Sequence, residues 1–334
     1  MKTIKLGNKE IGTGCPTYVI AEIGFNHGGY IDLAALMIEK AAETGVDAVK
    51  FQTFKASDLV CEDAEHFKVI ESCELSADDH EKLIAIAKDN DVAFLSTPFS
   101  NQSVDMLEKV NVPGYKVASM DITNLPFLKY IASFGKPMII STGMATIAEI
   151  LEAINSVKDA GNGKIVLLHC ISKYPVDAKE ANLRNISYFK EIFGLPVGYS
   201  DHGVENITSY VAVSLGACLI EKHFTVDKTM PGPDHKISAN PQEMIQLVQG
   251  IRTIEESMGK RFNTIERPDK KEATMFRRSI YSKVDIPKGT VINAGMVKCV
   301  RPQNGLAPKY YTVVISRTAK VDIPKDTPIS FDVI

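Results

Sequence analysis

The chain has 334 residues, of which 45% are hydrophobic and 24% are charged, so it can bury a full core and lacks the composition of a disordered or fibrous protein. Its 38 basic and 41 acidic residues give a formal net charge of −3, and no lysine- or arginine-rich run predicts a nucleic-acid partner. No apolar stretch has the ~20 residues of a membrane span, and none forms a signal peptide. We therefore expect a cytoplasmic protein with no membrane or nucleic-acid partner.

Short β-branched or apolar runs alternate with amphipathic stretches from Thr17 onward, which is the pattern of βα units around a parallel sheet. The predicted strands are Tyr18–Ala21, Ala48–Gln52, Ala93–Ser96, Tyr115–Ala118, Met138–Ser141, Ile165–His169, Val197–Tyr199 and Cys218–His223. The predicted helices are Leu33–Glu43, Asp78–Lys88, Asn101–Lys109, Leu125–Ser133, Ile147–Lys158, Ile186–Phe193, Ile207–Leu215 and Pro241–Met258. Eight strands, each followed by a helix, predict an α/β protein with a (β/α)8 TIM barrel, whose functional side chains lie at the carboxyl ends of the strands.

A second unit is predicted after Met258, where the pattern changes. The polar, charge-rich segment 259–275 is interpreted as a linker between a catalytic barrel domain, 1–258, and a small domain, 276–334. Within that domain, residues 283–292 are echoed by residues 320–329, and both copies contain Lys-Val-Asp-Ile-Pro-Lys. The echo predicts a small β-rich domain with internal pseudo-symmetry, in which the Pro-Lys pairs form turns. The alternative is a chance repeat of a common turn.

Lysines occur at the ends of two predicted strands, at Lys50 and Lys116. A barrel interior is filled by close-packed branched side chains, so lysines there need a compensating anion or carboxylate. A phosphorylated, carboxylated substrate would supply that charge, and neighbouring hydroxyls would add hydrogen bonds to its phosphate. The hydroxyl candidates are Ser119, Ser141, Ser172 and Ser200. The alternative is that the lysines extend out of the barrel mouth into solvent.

Two histidines, His202 and His223, end neighbouring predicted strands. Their rings could enter one mouth and bind a divalent cation through neutral imidazole nitrogens. Two histidines leave several coordination positions open, and an open metal polarises a carbonyl as a Lewis acid. His66 and His80 are expected at the surface.

Four carboxylates near the predicted strand ends are candidates for contacts with metal-bound water, for general acid/base catalysis or for binding sugar hydroxyls. They are Glu22, Asp121, Glu221 and Asp234. An ion pair with Lys50, Lys116 or Lys222 explains each of them equally well.

Seven short motifs, in order along nearly the whole chain, resemble those of the N-acetylneuraminate (sialic acid) synthases and their legionaminate, pseudaminate and spore-coat polysaccharide relatives. The motifs are AEIGFNH at 21–27, KFQT at 50–53, LSTPF at 95–99, STGM at 141–144, GYSDH at 198–202, EKHFT at 221–225 and PGPDH at 231–235. Their spacing fits successive strands of one barrel.

The resemblance implies that the barrel is followed by a C-terminal SAF (antifreeze-like) domain and that the chain forms a domain-swapped homodimer. It implies that His202 and His223 hold a divalent ion, with Mn²⁺ first and Mg²⁺ or Co²⁺ as alternatives. An arginine of the partner subunit's SAF domain reaches the N-acyl group of the sugar in this family, and its match is Arg301.

The resemblance also assigns the other site residues. The predicted catalytic residues are Glu22, Lys50, Lys116 and Asp121, with Glu22 activating or ordering a water molecule. The predicted phosphoenolpyruvate-binding residues are Lys50, Thr97, Lys116, Ser119, Ser141, Ser172 and Ser200. The predicted sugar-binding residues are Gln52, Tyr174, Glu221, Asp234 and Arg301.

The implied activity is that of a phosphoenolpyruvate-dependent nonulosonic acid synthase, a transferase that breaks the carbon–oxygen bond of phosphoenolpyruvate. C3 of the enolpyruvate attacks the metal-polarised aldehyde of an open-chain N-acyl aminosugar, water adds at C2, and the tetrahedral intermediate loses phosphate. N-acetylmannosamine is ranked first as the acceptor because it is the family's best-represented substrate. A diacetamido-trideoxyhexose of the legionaminate or pseudaminate routes, or a spore-coat-type precursor, is the alternative.

Three features depart from the commonest pattern of the family. Asp121 stands where glutamate is usual, Ser172 stands where several members have asparagine, and the segment 56–76 is shorter than in many relatives. We expect these changes to lie where the sugar binds and to tune its recognition.

Three other classes remain open from the sequence. A Kdo phosphate-type synthase would use a phosphorylated aldose and would need a second basic cluster. A non-catalytic carbohydrate-binding protein would require the lysines and histidines to be structural. A catalytically degenerate barrel would follow if Asp121 and Ser172 abolish the chemistry.

Overall fold

The structure is a computed structural model that describes residues 3–259 and 268–334. The chain divides into two compact units after Gly259. In the first unit, an antiparallel hairpin of β1 (Ile4–Leu6) and β2 (Lys9–Ile11) precedes eight parallel strands. These are β3 (Tyr18–Glu22), β4 (Ala48–Thr53), β5 (Ala93–Pro98), β6 (Tyr115–Val117), β7 (Met138–Ser141), β8 (Ile165–His169), β9 (Val197–Asp201) and β10 (Leu219–His223).

The eight strands close into a barrel in sequence order, with β10 paired to β3, which confirms the predicted TIM barrel. Several strands run one or two residues beyond their predicted carboxyl ends, to Glu22 in β3, Pro98 in β5 and Asp201 in β9. We predicted that these residues would follow the strands, because they interrupt the apolar run from which each strand was predicted. They remain in the ladder because neighbouring strands still pair with their backbone, as Glu22 pairs with Lys50.

The helices around the barrel begin where capping signals occur. Ser76, Thr146 and Asn240 each form a capping box with an acidic side chain three residues later. The helices are α1 (Ile31–Ala42), α2 (Ala56–Leu59), α3 (Phe67–Glu71), α4 (Ala77–Asp89), α5 (Asn101–Lys109), α6 (Leu125–Ser133), α7 (Ile147–Asp159), α8 (Arg184–Phe193), α9 (Ile207–Ser214) and α10 (Pro241–Met258). The short helices α2 and α3 were not predicted. In the described part of the chain, no helix has the length and hydrophobicity to cross a membrane.

The end of the barrel at the amino ends of its strands is closed by apolar packing. The hairpin residues Ile4, Leu6 and Ile11 pack with barrel residues that include Ile20 and Leu95. All of these side chains are buried. Since this end is filled, an open site in the barrel lies at the opposite end, where the strand sequences become polar.

The second unit is small and rich in β structure, and it contains α11 (Lys270–Phe276), β11 (Ser279–Ser282), β12 (Val297–Val300) and α12 (Tyr311–Val314). Strands β11 and β12 pair antiparallel. Helix α11 begins inside the segment predicted as a linker, 259–275, and residues 260–267 of that segment lie outside the described residues.

The two echoed segments of the second unit face each other. Ile286 and Ile323 pair antiparallel, and both are buried. The backbone N–H of Lys288 donates to Asp322 at 2.7 Å, and the backbone N–H of Lys325 donates to Asp285 at the same distance. Each copy therefore fixes the turn of the other copy, so the repeat is a structural pair and not a chance recurrence.

Candidate active site

A cavity of about 480 Å³ opens at the carboxyl ends of the barrel strands, where sites of α/β barrels lie. Most of the residues predicted to bind substrate or metal line it. They are Glu22, Lys50, Gln52, Thr97, Lys116, Ser119, Ser141, Ser172, Tyr174, Ser200, His202, Glu221, His223 and Asp234. The strand ends therefore converge as the sequence pattern predicts.

Strand register explains why these side chains meet. Successive side chains of a strand point to opposite faces, so Glu221 and His223 of β10 both line the cavity. Glu22 of β3 is in register with Lys50 on one side and with His223 on the other. Glu221 is in register with Ser200 of β9. Acidic, basic and imidazole groups thus come from adjacent strands.

Two lysines and two glutamates form a buried charge cluster in this cavity. Lys50 Nζ lies 2.9 Å from Glu22 Oε2 and 3.7 Å from Glu221 Oε2. Lys116 Nζ lies 3.8 Å from Glu221 Oε1. Glu221 is shared between the two ammonium groups, and this pairing satisfies the requirement that a buried charge have a partner.

Burial and neighbouring charges displace the pKa values of groups in this cluster. Burial raises the pKa of Glu22 to about 7, and the ammonium group of Lys50 offsets this only in part. Burial would also raise the pKa of Glu221, but Lys116 and Lys50 outweigh it and hold this pKa below its usual range. Burial lowers the pKa of Lys116. Glu22 is therefore the carboxyl group of the cluster that can exchange a proton near neutral pH.

Hydroxyl groups accept hydrogen bonds from both lysines. Lys116 Nζ donates to Ser141 Oγ at 2.6 Å, and Lys50 Nζ donates to Thr97 Oγ1 at 3.2 Å. An ammonium group beside a hydroxyl is a suitable donor set for phosphate or carboxylate oxygens. The cavity therefore contains two such sets, one on each side of Glu221.

Gly143 allows two of the predicted serines to lie close to its backbone. A Cβ atom at this position would lie 2.2 Å from Ser172 Oγ and 2.8 Å from Ser119 Oγ. The Gly143 N–H donates to Ser119 Oγ at 3.0 Å, and the same oxygen lies 3.2 Å from Cys170 Sγ. Cys170 also lines the cavity, and nothing in its sequence context indicated this.

The two predicted metal ligands lie side by side, with ring centroids 5.8 Å apart. His202 Nδ1 is 2.7 Å from the carbonyl oxygen of Ile171, so this nitrogen donates and Nε2 carries the lone pair. Ser200 Oγ lies 3.3 Å from Nε2 but donates its proton to Glu221 Oε1 at 2.9 Å. His223 Nδ1 is buried without a hydrogen-bond partner among the described residues, and Asp234 Oδ2 lies 3.7 Å from it. A lone-pair nitrogen on each ring is thus available.

These residues fit a divalent ion. Burial lowers the pKa of His202 and of His223, which favours the neutral imidazole that binds metals. The unpaired nitrogen of His223 is a buried polar atom that a ligand would satisfy. Among residues 3–259 and 268–334, no group of three or more His, Cys, Asp and Glu side chains is arranged to hold a metal. The two histidines would therefore leave most coordination positions open to substrate or water.

Two predicted sugar-binding residues stand next to these groups. The ring of Tyr174 stacks on His202 with centroids 4.1 Å apart and meets His223 edge to face at 5.9 Å. Gln52 Nε2 donates to Glu22 Oε1 at 3.3 Å. Both residues connect the deep charge cluster to the cavity mouth.

Asp121 is a predicted catalytic residue that does not line the cavity in the described structure. It ends a 3₁₀ turn over Ser119–Asp121, and such a turn rotates the side-chain direction by about 120° per residue. Ser119 and Met120 line the cavity, while the buried Asp121 carboxyl accepts a hydrogen bond from Asn124 Nδ2 at 3.5 Å. Of the three departures from the family pattern, Ser172 and the segment 56–76, through Leu59, Val60 and Ile70, line the cavity, and Asp121 does not. Their part in sugar recognition stays a prediction.

Arg301 belongs to the second unit. Its guanidinium carbon lies 5.3 Å from the centre of the Phe276 ring, which is a cation–π contact. The side chain is exposed.

Lys222 has a structural role, and its ion-pair partner is Asp201, which was not among the four candidate carboxylates. It points away from the cavity, is fully buried and lies 3.1 Å from Asp201 Oδ2. It also donates to the carbonyl oxygens of Gly203 and Glu205 at 2.8 and 3.1 Å. The Lys222–Asp201 ion pair connects β10 to β9, and the two hydrogen bonds to carbonyl oxygens connect β10 to the loop that follows His202.

The expectation that His80 lies at the surface is wrong. Its side chain is fully buried, with Nε2 2.7 Å from Thr53 Oγ1 and Nδ1 2.8 Å from the carbonyl oxygen of Ser76. His80 is on the amphipathic helix α4, and its burial depends on a partner in a distant strand. His66 is exposed, as expected.

One side of the cavity is apolar, and no pattern in the sequence predicted this. Its side chains come from the segment after β4 and from the ends of β5, β6 and β7. They are Leu59, Val60, Ile70, Phe99, Met120 and Met144, and we call them the apolar wall. Apolar residues in a loop resemble ordinary core residues in sequence, so no local signal distinguishes them.

The fold and site together define a class of protein, a TIM barrel with lysine, glutamate and histidine side chains gathered in a cavity at the carboxyl ends of its strands and with a small C-terminal β-rich domain. The sequence profile of the NeuB family matches residues 37–263, and that of the SAF domain matches residues 277–334. The chain belongs to the NeuB family, and this confirms the family predicted from the motifs.

Similar proteins support the same assignment. The chain is 40% identical over 326 residues to the N,N'-diacetyllegionaminic acid synthase of Campylobacter jejuni, covering 93% of this chain and 98% of that protein. It is 38% identical over 347 residues to the protein of the same name from Legionella pneumophila, covering 98% and 97%. Among solved structures, the N-acetylneuraminic acid (sialic acid) synthetase of Leptospira borgpetersenii is 35% identical with a TM-score of 0.79, covering 81% of this chain and 95% of that one.

Proposed function

We propose that this chain condenses phosphoenolpyruvate with an open-chain N-acylated aminosugar to give a nonulosonic acid and phosphate. The observation that carries the proposal is the position of the buried pair Lys50 and Lys116 in the same cavity as His202 and His223. The first pair suits a small, multiply charged anion, and the second suits a metal that activates a carbonyl.

Phosphoenolpyruvate would bind at the two lysine–hydroxyl sets. Lys116 with Ser141, and Lys50 with Thr97, would donate charge-assisted hydrogen bonds to its phosphate and carboxylate oxygens. Glu221 lies between the two ammonium groups and would keep them charged. Both lysines are buried, so their ammonium groups are shielded from bulk solvent and their hydrogen bonds to an anion are strengthened.

The sugar would occupy the mouth, above the lysine pair. His202 and His223 would hold a divalent ion, Mn²⁺ by our first choice, and this ion would supply Lewis-acid polarisation of the sugar aldehyde. Tyr174, Gln52 and Asp234 line the same part of the cavity and would orient the acceptor.

In the proposed reaction, C3 of phosphoenolpyruvate forms a bond to the aldehyde carbon, and the aldehyde oxygen becomes a hydroxyl. Water then adds at C2, and the tetrahedral intermediate expels phosphate with the bridging oxygen, so the carbon–oxygen bond breaks. Glu22 is the group proposed to order or deprotonate that water. Its raised pKa and its contact with Lys50 support an acid/base role.

A Kdo phosphate-type reaction is not favoured. Its phosphorylated aldose would need a second basic cluster. Among the described residues that line the cavity, the basic side chains other than histidine are Lys50 and Lys116, and both belong to the first cluster.

N-acetylmannosamine remains the first acceptor from the sequence. The two similar proteins described above, from Campylobacter and Legionella, are both N,N'-diacetyllegionaminic acid synthases, and they favour a diacetamido-trideoxyhexose as the second candidate. We further propose a homodimer in which the partner subunit's SAF domain places Arg301 against the N-acyl group of the sugar.

The test is phosphate release from phosphoenolpyruvate in the presence of Mn²⁺ with N-acetylmannosamine, a diacetamido-trideoxyhexose and arabinose 5-phosphate as acceptors. Mass spectrometry of the products in heavy-oxygen water identifies the bond that breaks. Label in the sugar acid and not in phosphate is expected for carbon–oxygen cleavage. Phosphate release only with arabinose 5-phosphate as the acceptor would contradict the proposal. Phosphate release from phosphoenolpyruvate in the absence of any acceptor would also contradict it.

A further inference from the structure

The backbone on both sides of His202 is held by one buried carboxylate outside the cavity. Asp201 ends β9 and points to the opposite face from Ser200 and His202, which line the cavity. Its Oδ1 accepts a hydrogen bond from the N–H of Gly203 at 2.9 Å. This hydrogen bond spans His202, so the residue before this candidate metal ligand is joined to the residue after it.

The carboxylate of Asp201 is itself held in one orientation. Thr208 Oγ1 and Ser209 Oγ of α9 donate to its Oδ2 at 3.0 and 2.6 Å, and Lys222 Nζ donates to the same oxygen at 3.1 Å. All four side chains are buried, where hydrogen bonds are stronger than in water. A carboxylate with this many donors has little freedom to rotate.

Lys222 holds the same loop through its carbonyl oxygens. Nζ donates to Gly203 O at 2.8 Å and to Glu205 O at 3.1 Å. On β10, Lys222 lies between Glu221 and His223, whose side chains line the cavity, and it points to the opposite face. One ammonium group therefore connects the strand of one candidate metal ligand to the loop of the other.

Backbone pairing does not extend to the two histidines. The register of β9 and β10 ends where Asp201 pairs with Lys222, and His202 and His223 are the next residues along each chain segment. The ion pair between directly opposite side chains therefore fixes the last paired position before the two candidate ligands.

Other contacts of His202 come from the loop after β8. Its Nδ1 donates to the carbonyl oxygen of Ile171 at 2.7 Å, and its own carbonyl oxygen accepts from the N–H of Val176 at 3.1 Å. Tyr174 stacks on the ring. These contacts orient the imidazole from the β8 side, and the ion pair connects it to β10.

A divalent ion held by two imidazoles is sensitive to their separation. Ligand nitrogens must lie within about 0.2 Å of the preferred distance, and the loss of groups that orient metal ligands lowers metal affinity on the order of 10- to 100-fold. The rings of His202 and His223 are 5.8 Å apart between centroids, and they come from different strands. Whatever fixes those strands relative to each other therefore affects the ion.

We infer that Asp201 and Lys222 are positioning residues of the metal site, which fix the separation between His202 and His223 and thereby set the affinity for the divalent ion. Neither positioning residue is among the residues that line the cavity. This inference rests on the proposed function, in which the two histidines hold that ion. It places a control of metal affinity outside the cavity.

The experiment is titration calorimetry of the full chain with Mn²⁺ alone, at a temperature where circular dichroism shows each variant to be folded. Asp201→Asn and Lys222→Met should raise Kd for Mn²⁺ on the order of 10- to 100-fold. Asp47→Asn is the matched control, because Asp47 is a buried carboxylate just before β4 that accepts from the N–H of Val19 at 2.7 Å and pairs with Lys9. It should lower the melting temperature and leave Kd unchanged.

The double variant Asp201→Asn/Lys222→Met separates positioning from stability. It leaves neither partner as an uncompensated buried charge, so part of the melting temperature lost in the single variants should return. The carbonyl oxygens of Gly203 and Glu205 still lack their donor, so Kd should stay high. Recovery of parental affinity together with stability would mean that the single variants act through instability alone, and it would overturn the inference.

Ser209→Ala decides the question if the single variants do not fold. It removes one donor to Asp201 and should raise Kd several-fold, so an unchanged Kd overturns the inference. Parental affinity in folded Lys222→Met also overturns it and leaves the proposed function intact. Absence of Mn²⁺ binding in the parent protein overturns the metal site of the proposed function and the inference together.

Discussion

Single residues of the cavity owe their properties to burial among a few charged neighbours. Lys50, Lys116, Glu22 and Glu221 are each at most 5% exposed, so each charge depends on the others. Removing one member leaves its partner buried without compensation, which costs more than the removed hydrogen bond itself.

Lys116→Met should raise KM for phosphoenolpyruvate far more than KM for the sugar. A hydrogen bond to a charged group contributes about 1.5–3 kcal/mol, so kcat/KM for phosphoenolpyruvate should fall by at least about tenfold. Steady-state kinetics with each substrate varied in turn measure the two effects. Lys179→Met is the control, since Lys179 is exposed at the surface. Equal increases in both KM values would argue against an anion site at Lys116.

His223→Asn should abolish tight binding of Mn²⁺, because it removes one of the two nitrogens available to the ion. Titration calorimetry with the metal alone gives this readout without an activity assay. His66→Asn, at an exposed position, should bind Mn²⁺ like the parent protein. Unchanged affinity in His223→Asn would refute the assignment of this residue as a ligand.

Residue-scale prediction from sequence succeeded where a polar side chain interrupts an apolar run. Lys50 and Lys116 stand out for that reason, and both line the cavity. Asp121 gave the same signal, but a 3₁₀ turn directs its side chain elsewhere. The burial of His80 depends on Thr53, 27 residues away in the chain, and periodicity contains no information about such a partner.

At the scale of elements, the last two barrel strands are held together by more than backbone pairing. Asp201 of β9 accepts hydrogen bonds from Thr208 and Ser209 of α9 at 3.0 and 2.6 Å. It also pairs with Lys222 of β10. The buried network therefore fixes β10, which ends at His223, and β9, which ends one residue before His202.

Lys222→Met should lower the free energy of unfolding by about 3–5 kcal/mol, because it leaves the carboxylate of Asp201 buried without its cation. Urea denaturation followed by circular dichroism measures the change. Lys40→Met removes a partner of Glu43 at the surface and should cost less than about 1 kcal/mol. A loss in Lys222→Met as small as that in Lys40→Met would show that the buried pair contributes little.

Elements with strong periodicity were predicted almost to the residue, as α5 and α6 show. The helices α2 and α3 were missed because each has only about one turn, too short for a repeating pattern. The hairpin of β1 and β2 was missed because each strand has only three residues, too few for a repeating pattern. The apolar wall lies partly on α2 and α3, so elements that the sequence did not predict form part of the cavity lining.

On the scale of the whole molecule, the proposed homodimer makes the origin of Arg301 testable. In a domain-swapped arrangement, the arginine that serves one cavity comes from the partner subunit's SAF domain. Arg301→Ala should raise KM for the sugar far more than KM for phosphoenolpyruvate, whereas Arg317→Ala, an exposed arginine in the same unit, should change neither.

Mixing two impaired variants at a sugar concentration well below the KM of the Arg301→Ala variant tests the exchange directly. Co-refolded Arg301→Ala and Lys116→Met chains should regain about a quarter of parental activity, since half of the randomly formed dimers would contain one intact site of two. No recovery in dimers shown by mass spectrometry to contain both chains would mean that Arg301 acts within its own chain, or not at all.

The hairpin of β1 and β2 has a kinetic consequence. It packs against the amino ends of the barrel strands, so, in the part of the chain that the structure describes, the proposed substrates and products would enter and leave at the carboxyl ends. Lys50 and Lys116 are 4% and 3% exposed, whereas Tyr174 is 54% exposed, so a sugar bound at the entrance would block the path to the lysines. Phosphoenolpyruvate must then enter first, and excess sugar should inhibit by occupying the empty enzyme.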